Sequence, residues 1–188
     1  MKEIELKVLE IDKRAVEKKL RALGAKKVFT ELMRVRFFDF PDGRIRARGD
    51  LLRLREIGKN RTEYVYKTNK RIKGGCKVFD ENEFLLEGDN VFEDMTRALK
   101  SIGLKQTVYY EKKRTLYVYK KWKFEIDEHP RIPVFMEIEA PSPRAVKEAI
   151  KMLGLENHEA TPDTINGLLK RRYKGVKLNG LTFKNHGK

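Results

Sequence analysis

With a single cysteine, Cys76, the chain can close no disulfide within itself and can build no thiolate metal cluster. Its histidines, His129, His158 and His186, stand far apart in loop-like contexts, which argues against an imidazole metal centre or a histidine acid–base pair. No apolar run is long enough to cross a bilayer as a helix, and the opening Lys2-Glu3-Ile4-Glu5-Leu6-Lys7 has no apolar leader. These absences predict a cytoplasmic protein that makes no use of a membrane. Low-complexity linkers are lacking too. The 188 residues are therefore expected to form one domain over residues 1–175, followed by a basic tail at 176–188.

What is abundant is charge, at 38% of residues, beside a hydrophobic complement of 40% that is ample for an ordered core. The net charge of +15 points to a polyanionic partner: nucleic acid, a nucleotide, polyphosphate or an anionic surface. Lys and Arg are spread through nearly every segment among acidic residues. That distribution suits an interior site with a basic exterior as well as it suits a nucleic-acid groove.

A Glu-x-Glu strand and an amphipathic helix ending in Gly recur along the chain. Glu3 and Glu5 precede a helix with Asp12 as N-cap, Val16, Leu20 and Leu23 on one face, and Gly24 as the stop. After Glu81 and Glu83, Asn90 and Glu93 have capping-box spacing ahead of Val91, Met95, Ala98, Leu99 and Ile102, with Gly103 at the end. After Glu137 and Glu139, Ser142 caps, Pro143 takes the first helical position, and Val146, Ala149, Ile150 and Leu153 form the stripe before Gly154. Residues 29–40, 51–57, 64–68, 108–119, 123–127 and 134–140 read as strands, with turns at Pro41-Asp42-Gly43, Gly58-Lys59-Asn60 and Gly74-Gly75. A last helix is expected from Thr161-Pro162, with Ile165, Leu168, Leu169 and Tyr173 as its apolar face, and a short strand and basic tail beyond residue 174. This order predicts an α+β fold with a largely antiparallel sheet.

Residues two apart on a strand share a face, so Glu3, Glu5 and Lys7 lie opposite Ile4, Leu6 and Val8. The same parity pairs Arg53 with Arg55, Lys112 with Arg114, Glu125 with Asp127, and Glu137 with Glu139. Any one such pair is ordinarily a solvated outer face. Together they are less ordinary, because like charges close together on one face need a counter-ion or an opposite partner. Carboxylates without His or Cys are the ligands of hard ions, Mg²⁺ or Mn²⁺, and clustered Arg and Lys bind phosphate oxygens. Cys76, Trp122 with its aromatic neighbours, and Lys170-Arg171-Arg172 are explained more simply as turn, core and solvated helix.

These residues resemble the CYTH family of class IV adenylyl cyclases and thiamine triphosphatases. The resemblance runs through Glu3-Ile4-Glu5-Leu6-Lys7, Phe37-Phe38-Asp39-Phe40-Pro41, Leu52-Arg53-Leu54-Arg55, Lys67, Glu81 with Glu83, Lys112-Lys113-Arg114, Asp127 and Phe135-Met136-Glu137-Ile138-Glu139. It implies a closed barrel of eight antiparallel strands, a triphosphate tunnel, with helices packed outside. It implies metal ligands, or their supporting shell, at Glu3, Glu5, Glu81, Glu83, Asp127, Glu137 and Glu139. Phosphate contacts would come from Lys7, Arg53, Arg55, Lys67, Lys112 and Arg114, with Lys7 and Arg114 catalytic. Thr164-Ile165-Asn166-Gly167-Leu168-Leu169 departs from the family's Ser-Tyr-x-Glu-Leu-Leu stretch, and no site residue is carried over from it.

The leading expectation is a Mg²⁺- or Mn²⁺-dependent enzyme that hydrolyses a nucleoside, thiamine or inorganic triphosphate, a triphosphate-containing small molecule being the partner. The runner-up is cyclisation of ATP to cyclic AMP and pyrophosphate, served by the same cage. A non-catalytic binder of RNA or polyphosphate is the third reading; it gives no reason for inward Glu pairs, so a nucleic-acid partner is not favoured. A small homodimer is compatible with any of these.

Overall fold

The opening strand sets the pattern for the barrel. In the computed structural model, which describes residues 2–183, β1 (Lys2–Val8) buries Ile4, Leu6 and Val8 on its outer side, while Glu3, Glu5 and Lys7 line an internal cavity. The chain continues through α1 (Lys13–Ala22), β2 (Lys26–Asp39), α2 (Arg44–Ala47), β3 (Leu51–Ile57), β4 (Arg61–Lys73), β5 (Cys76–Glu87) and α3 (Val91–Ser101). It ends with β6 (Lys105–Tyr119), β7 (Trp122–Glu128), β8 (Phe135–Glu139), α4 (Pro143–Met152), β9 (Ala160–Thr161) and α5 (Ile165–Arg172).

Antiparallel pairing runs β5-β4-β3-β2-β6-β7-β8-β1, and β1 also pairs with β5, setting Glu3 opposite Phe79 and Glu5 opposite Lys77. Eight strands thus close into the expected antiparallel barrel of an α+β fold, which removes the exposed edges an open sheet would carry. The short β9 pairs with Lys7 and Val8 where β5 leaves off.

The helices meet the apolar outer faces of the strands. Val16 and Leu20 of α1 and Val146 and Ala149 of α4 pack with Ile4, Leu6, Val8, Phe124 and Ile138, and Trp122 Nε1 donates to the Ala145 carbonyl at 2.8 Å. Burying each such aliphatic side chain is worth about 1.5–3 kcal/mol. Phe92 and Leu99 of α3 pack on Leu52, Leu54 and Leu104 in a separate cluster. Asp12, Ser142 and Thr164 cap α1, α4 and α5, each accepting from a backbone N–H three residues on.

Several local expectations are corrected. Asn90 adopts φ 61° and its side chain makes no capping bond; the Glu93 side chain is drawn instead to Arg36, whose Nη1 lies 2.7 Å away. The last helix starts at Ile165 rather than at Thr161-Pro162, because Thr161 is held in β9 and its hydroxyl accepts from the Asp163 N–H. α2 was not foreseen: Asp39 accepts from the backbone N–H groups of Ile45 and Arg46 and winds the turn into a helix.

α5 differs from the other helices. Leu168 and Leu169 pack with Leu9, Met33, Val35, Tyr110 and Phe135, so this helix closes over one end of the barrel. The segment after it is more than a tail, since Leu178 and Leu181 are buried in the same cluster and the Glu111 N–H donates to the Leu181 carbonyl at 2.8 Å. Residues 184–188, including His186, lie outside the described residues.

Candidate active site

The inward-facing side chains surround a cavity of about 1130 Å³. Every residue singled out from the sequence lies on its wall: Glu3, Glu5 and Lys7 from β1, Arg53 and Arg55 from β3, Lys67 from β4, Glu81 and Glu83 from β5, Lys112 and Arg114 from β6, Asp127 from β7, Glu137 and Glu139 from β8. Parity along each strand delivers them, and barrel closure brings strands distant in sequence into one chamber.

Cations and carboxylates alternate around this wall in a connected network. Arg114 holds Asp127 bidentately at 2.6 Å through both Nε and Nη2, reaches Glu137 at 2.7 Å and also contacts Glu125. Lys112 donates to Asp127 at 2.8 Å, and Lys7 lies 2.6 Å from Glu137 and 3.6 Å from Glu5. Arg55 is clasped by Glu63, Lys77 contacts Glu5, and Lys67 contacts Glu3 and lies 3.3 Å from Glu81. Arg53 forms no carboxylate ion pair among the described residues, and its Nε is buried without a partner.

Burial and neighbouring charge pull the titrations apart. The Glu3 carboxyl is pushed up to about 8, by burial first and then by Glu5 and Glu81. Glu125 rises to about 7, again through burial, which outweighs the pull of Arg114. Glu5 and Glu137 go the other way: burial opposes their ionisation, but Lys77 and Lys7 around the first, and Lys7, Arg114 and Lys112 around the second, override it. Burial, with Arg114 alongside, lowers the Lys112 ammonium to about 8. Lys7 and Arg114 remain firmly cationic despite their burial, because Glu137 and Asp127 respectively stand against them.

Among the described residues no three carboxylate, histidine or cysteine groups are gathered as a metal site, since each buried carboxylate in the network is held by lysine or arginine. The chemistry of the donors nevertheless fits a hard divalent ion. Glu5 stands directly opposite Glu139 across β1 and β8, and Glu125 opposite Glu137 across β7 and β8. Opposed carboxylates of this kind repel and are relieved by a cation.

The wall also carries residues that sequence reasoning did not carry to the site: Glu63, Lys77, Lys123, Glu125 and His129. Lys77 shares parity with Glu81 and Glu83, and Glu63 with Lys67, so extending those strands would have found both. His129, expected in a loop without a role, is 6% exposed, stacked between Tyr110 at 5.8 Å and Phe135 at 5.2 Å between ring centroids.

Burial presses the His129 imidazole down from 6.5 to about 3. The unfolded chain takes up this proton near pH 6.5 and the folded chain only near 3, so stability conferred by the neutral ring is lost as pH falls through that window, by on the order of 5 kcal/mol. Urea midpoints of the wild type and His129→Phe between pH 7 and pH 3.5 check this. The variant should lose less stability on acidification.

A model of the CYTH domain matches residues 1–170. No curated protein matches the chain. Among solved structures, a Pyrococcus horikoshii OT3 protein is similar at 25% identity and a TM-score of 0.68, covering 86% of this chain and 96% of that one. A candidate adenylate cyclase from Vibrio parahaemolyticus has a TM-score of 0.72 at 15% identity, covering 89% and 97%. A candidate adenylyl cyclase from Hippeastrum, described as having a dominant triphosphatase activity, has a TM-score of 0.68 at 18% identity, covering 89% and 95%. With the family model spanning the barrel and all the charged strands of its cavity, the chain belongs to the CYTH domain family.

Proposed function

We propose that this protein hydrolyses a triphosphate with the help of a divalent cation, Mg²⁺ or Mn²⁺. The observation that carries this reading is the convergence of Lys7, Arg53, Arg55, Lys67, Lys112 and Arg114 on one cavity that they share with buried carboxylates. A chain of phosphates is the ligand whose charge density matches such a wall, and Arg53, without a carboxylate partner, has its guanidinium available for two phosphate oxygens.

Arg55 and Lys67 extend that grip along the chain of phosphates. Lys7 and Arg114, locked in place by Glu137 and Asp127, stay charged and stationary, so they stabilise negative charge building on the transferred phosphoryl group without reorganising. The carboxylates of Glu3, Glu5, Glu81, Glu83, Asp127, Glu137 and Glu139 would hold the ion, with Lys67 and Lys112, now bound to Glu3 and Asp127, turning to phosphate. When bound, such an ion neutralises phosphate charge and makes a coordinated water more acidic.

The same cage would serve ATP cyclisation, so the products decide. The purified protein is incubated with ATP, and separately with inorganic triphosphate, with Mg²⁺, with Mn²⁺ and with EDTA. Orthophosphate released only with metal is the expected result. Cyclic AMP with pyrophosphate would replace hydrolysis by the cyclase reaction, and no product from either substrate in any metal would overturn an enzymatic reading of the cavity.

A further inference from the structure

The cavity does not account for the charge of the chain. Its wall carries ten lysines and arginines against eleven carboxylates, so the net +15 is carried outside the tunnel. A surface field of one sign attracts a polyanion, and the make-up of that surface decides which kind.

Much of the excess collects on the side of the barrel covered by α1 and α4. α1 turns Val16 and Leu20 inward, which leaves Arg14, Lys18 and Arg21 at helical spacing on its exposed face. α4 turns Val146, Ala149 and Leu153 inward and presents Arg144, Lys147 and Lys151 in the same way. The two stripes adjoin, since Lys19 Nζ donates to the Leu153 carbonyl at 2.6 Å and both helices pack on one apolar cluster.

Neighbouring turns widen the patch. The β6–β7 turn brings Lys120 and Lys121, the latter 3.1 Å from Glu148 of α4, and the start of β2 sets Lys26 opposite Val118 of that hairpin. The β4–β5 turn adds Lys70 and Lys73. A Cβ on its Gly74 would stand 2.8 Å from Pro143, and between this turn and α4 lies an open hollow of about 470 Å³ edged by Arg144, Lys147 and Lys151. Glu17 and Glu148, the acidic residues of the two helices, are already engaged by Arg21 and by Lys121 with Arg144. Lys18, Lys26, Lys27, Lys120, Lys147 and Lys151 are exposed and form no carboxylate ion pair among the described residues.

We propose that this face docks the phosphate backbone of duplex nucleic acid without reading its sequence, whatever the tunnel acts on. A duplex carries one charge per ~1.7 Å of its axis, the densest match for dispersed lysines and arginines. Single strands are held largely by stacking on aromatic rings. Here Trp122 is buried and Tyr119 half-buried, and Lys121 and Lys120 lie over their rings at 4.8 and 5.1 Å. A bilayer is gripped by apolar side chains that insert, and Val28 and Ile72 are the only large ones exposed on or next to these segments.

The test follows a fluorescent DNA duplex of about 30 base pairs by anisotropy between about 50 and 200 mM salt. It compares the wild type with a triple variant of the face, Lys120→Glu, Lys147→Glu and Lys151→Glu. A control makes the same change of charge elsewhere, at Lys59→Glu, Lys100→Glu and Lys170→Glu. All six lysines are exposed and none lines the cavity, so circular dichroism should show both variants folded. The face variant should bind at least about tenfold more weakly, with a salt slope shallower by about three, while the control stays within about threefold of wild type. Equal weakening in both variants would reduce the effect to net charge and overturn the proposal. So would absence of duplex binding at the lowest salt, tighter binding of a single strand of the same length, or binding to phosphatidylserine vesicles in place of the duplex.

Discussion

An Arg114→Ala variant is expected to lose about 3–5 kcal/mol of stability and at least a hundredfold in triphosphate turnover. Arg114 is 2% exposed, and its guanidinium joins Asp127, Glu125 and Glu137. Its removal leaves three carboxylates confined in a low-dielectric chamber, with Lys112 still paired to Asp127 and Lys7 to Glu137 but no ion-pair partner for Glu125 among the described residues, and breaking a buried pair from one side costs far more than the pair was worth. Denaturant midpoints report the stability loss, and turnover measured below the variant's unfolding range reports the chemistry. Arg114→Lys separates the two. A lysine restores the charge but cannot hold Asp127 through two parallel bonds, so it should recover most of the stability and little of the rate. Equal recovery of both would mean that Arg114 only balances charge and plays no part in the reaction.

Glu137→Gln should lower metal-dependent turnover at least a hundredfold while leaving a folded barrel. Glutamine keeps the shape of the side chain, and its one carbonyl oxygen still accepts from either Lys7 or Arg114, which lie 2.6 Å and 2.7 Å from the two oxygens of Glu137, while its NH2 faces the other. What it removes is one of the two charges opposed across β7 and β8, the arrangement that calls for a cation. Circular dichroism should therefore change little, and a metal titration should require far more Mg²⁺ or Mn²⁺ for any remaining activity. Turnover within twofold of wild type at the same metal concentration would remove Glu137 from the ion's surroundings.

Much of this is legible in the sequence, because a strand imposes a period of two on its side chains. Ile4, Leu6 and Val8 had to face a core once Glu3, Glu5 and Lys7 faced away from it, and the same parity placed Arg53 with Arg55 and Lys112 with Arg114. What period cannot give is which strands become neighbours. That Lys77 meets Glu5, or that Arg114 gathers carboxylates from two strands, follows from closure and register, which arise only when the whole sheet assembles. His129 escaped for a related reason. It sits just past β7, where alternation is no longer readable, and its burial depends on Tyr110 and Phe135 arriving from other strands. The apolar stripe of α5 was visible as Leu168 and Leu169, but a helical period names the buried face and not what it is buried against; here that is one end of the barrel.

The seam between β1 and its two neighbours carries a consequence for how the molecule comes to be. β1 precedes the other strands of the barrel in the chain, yet its partners lie at Cys76–Glu87 and Phe135–Glu139, so one side of it stays unpaired until β5 has been made and the other until β8 has. Pairings over such separations are slow to form, and an unpaired strand is exposed to wrong partners in the meantime. The alternation of Glu3, Glu5 and Lys7 with Ile4, Leu6 and Val8 keeps the waiting strand charged on one side, a poor template for self-association. Pairing of β1 with both β5 and β8 shuts the cylinder and sets Glu3, Glu5 and Lys7 into the wall of the chamber. The seam that closes the wall therefore also completes the chemistry held inside it.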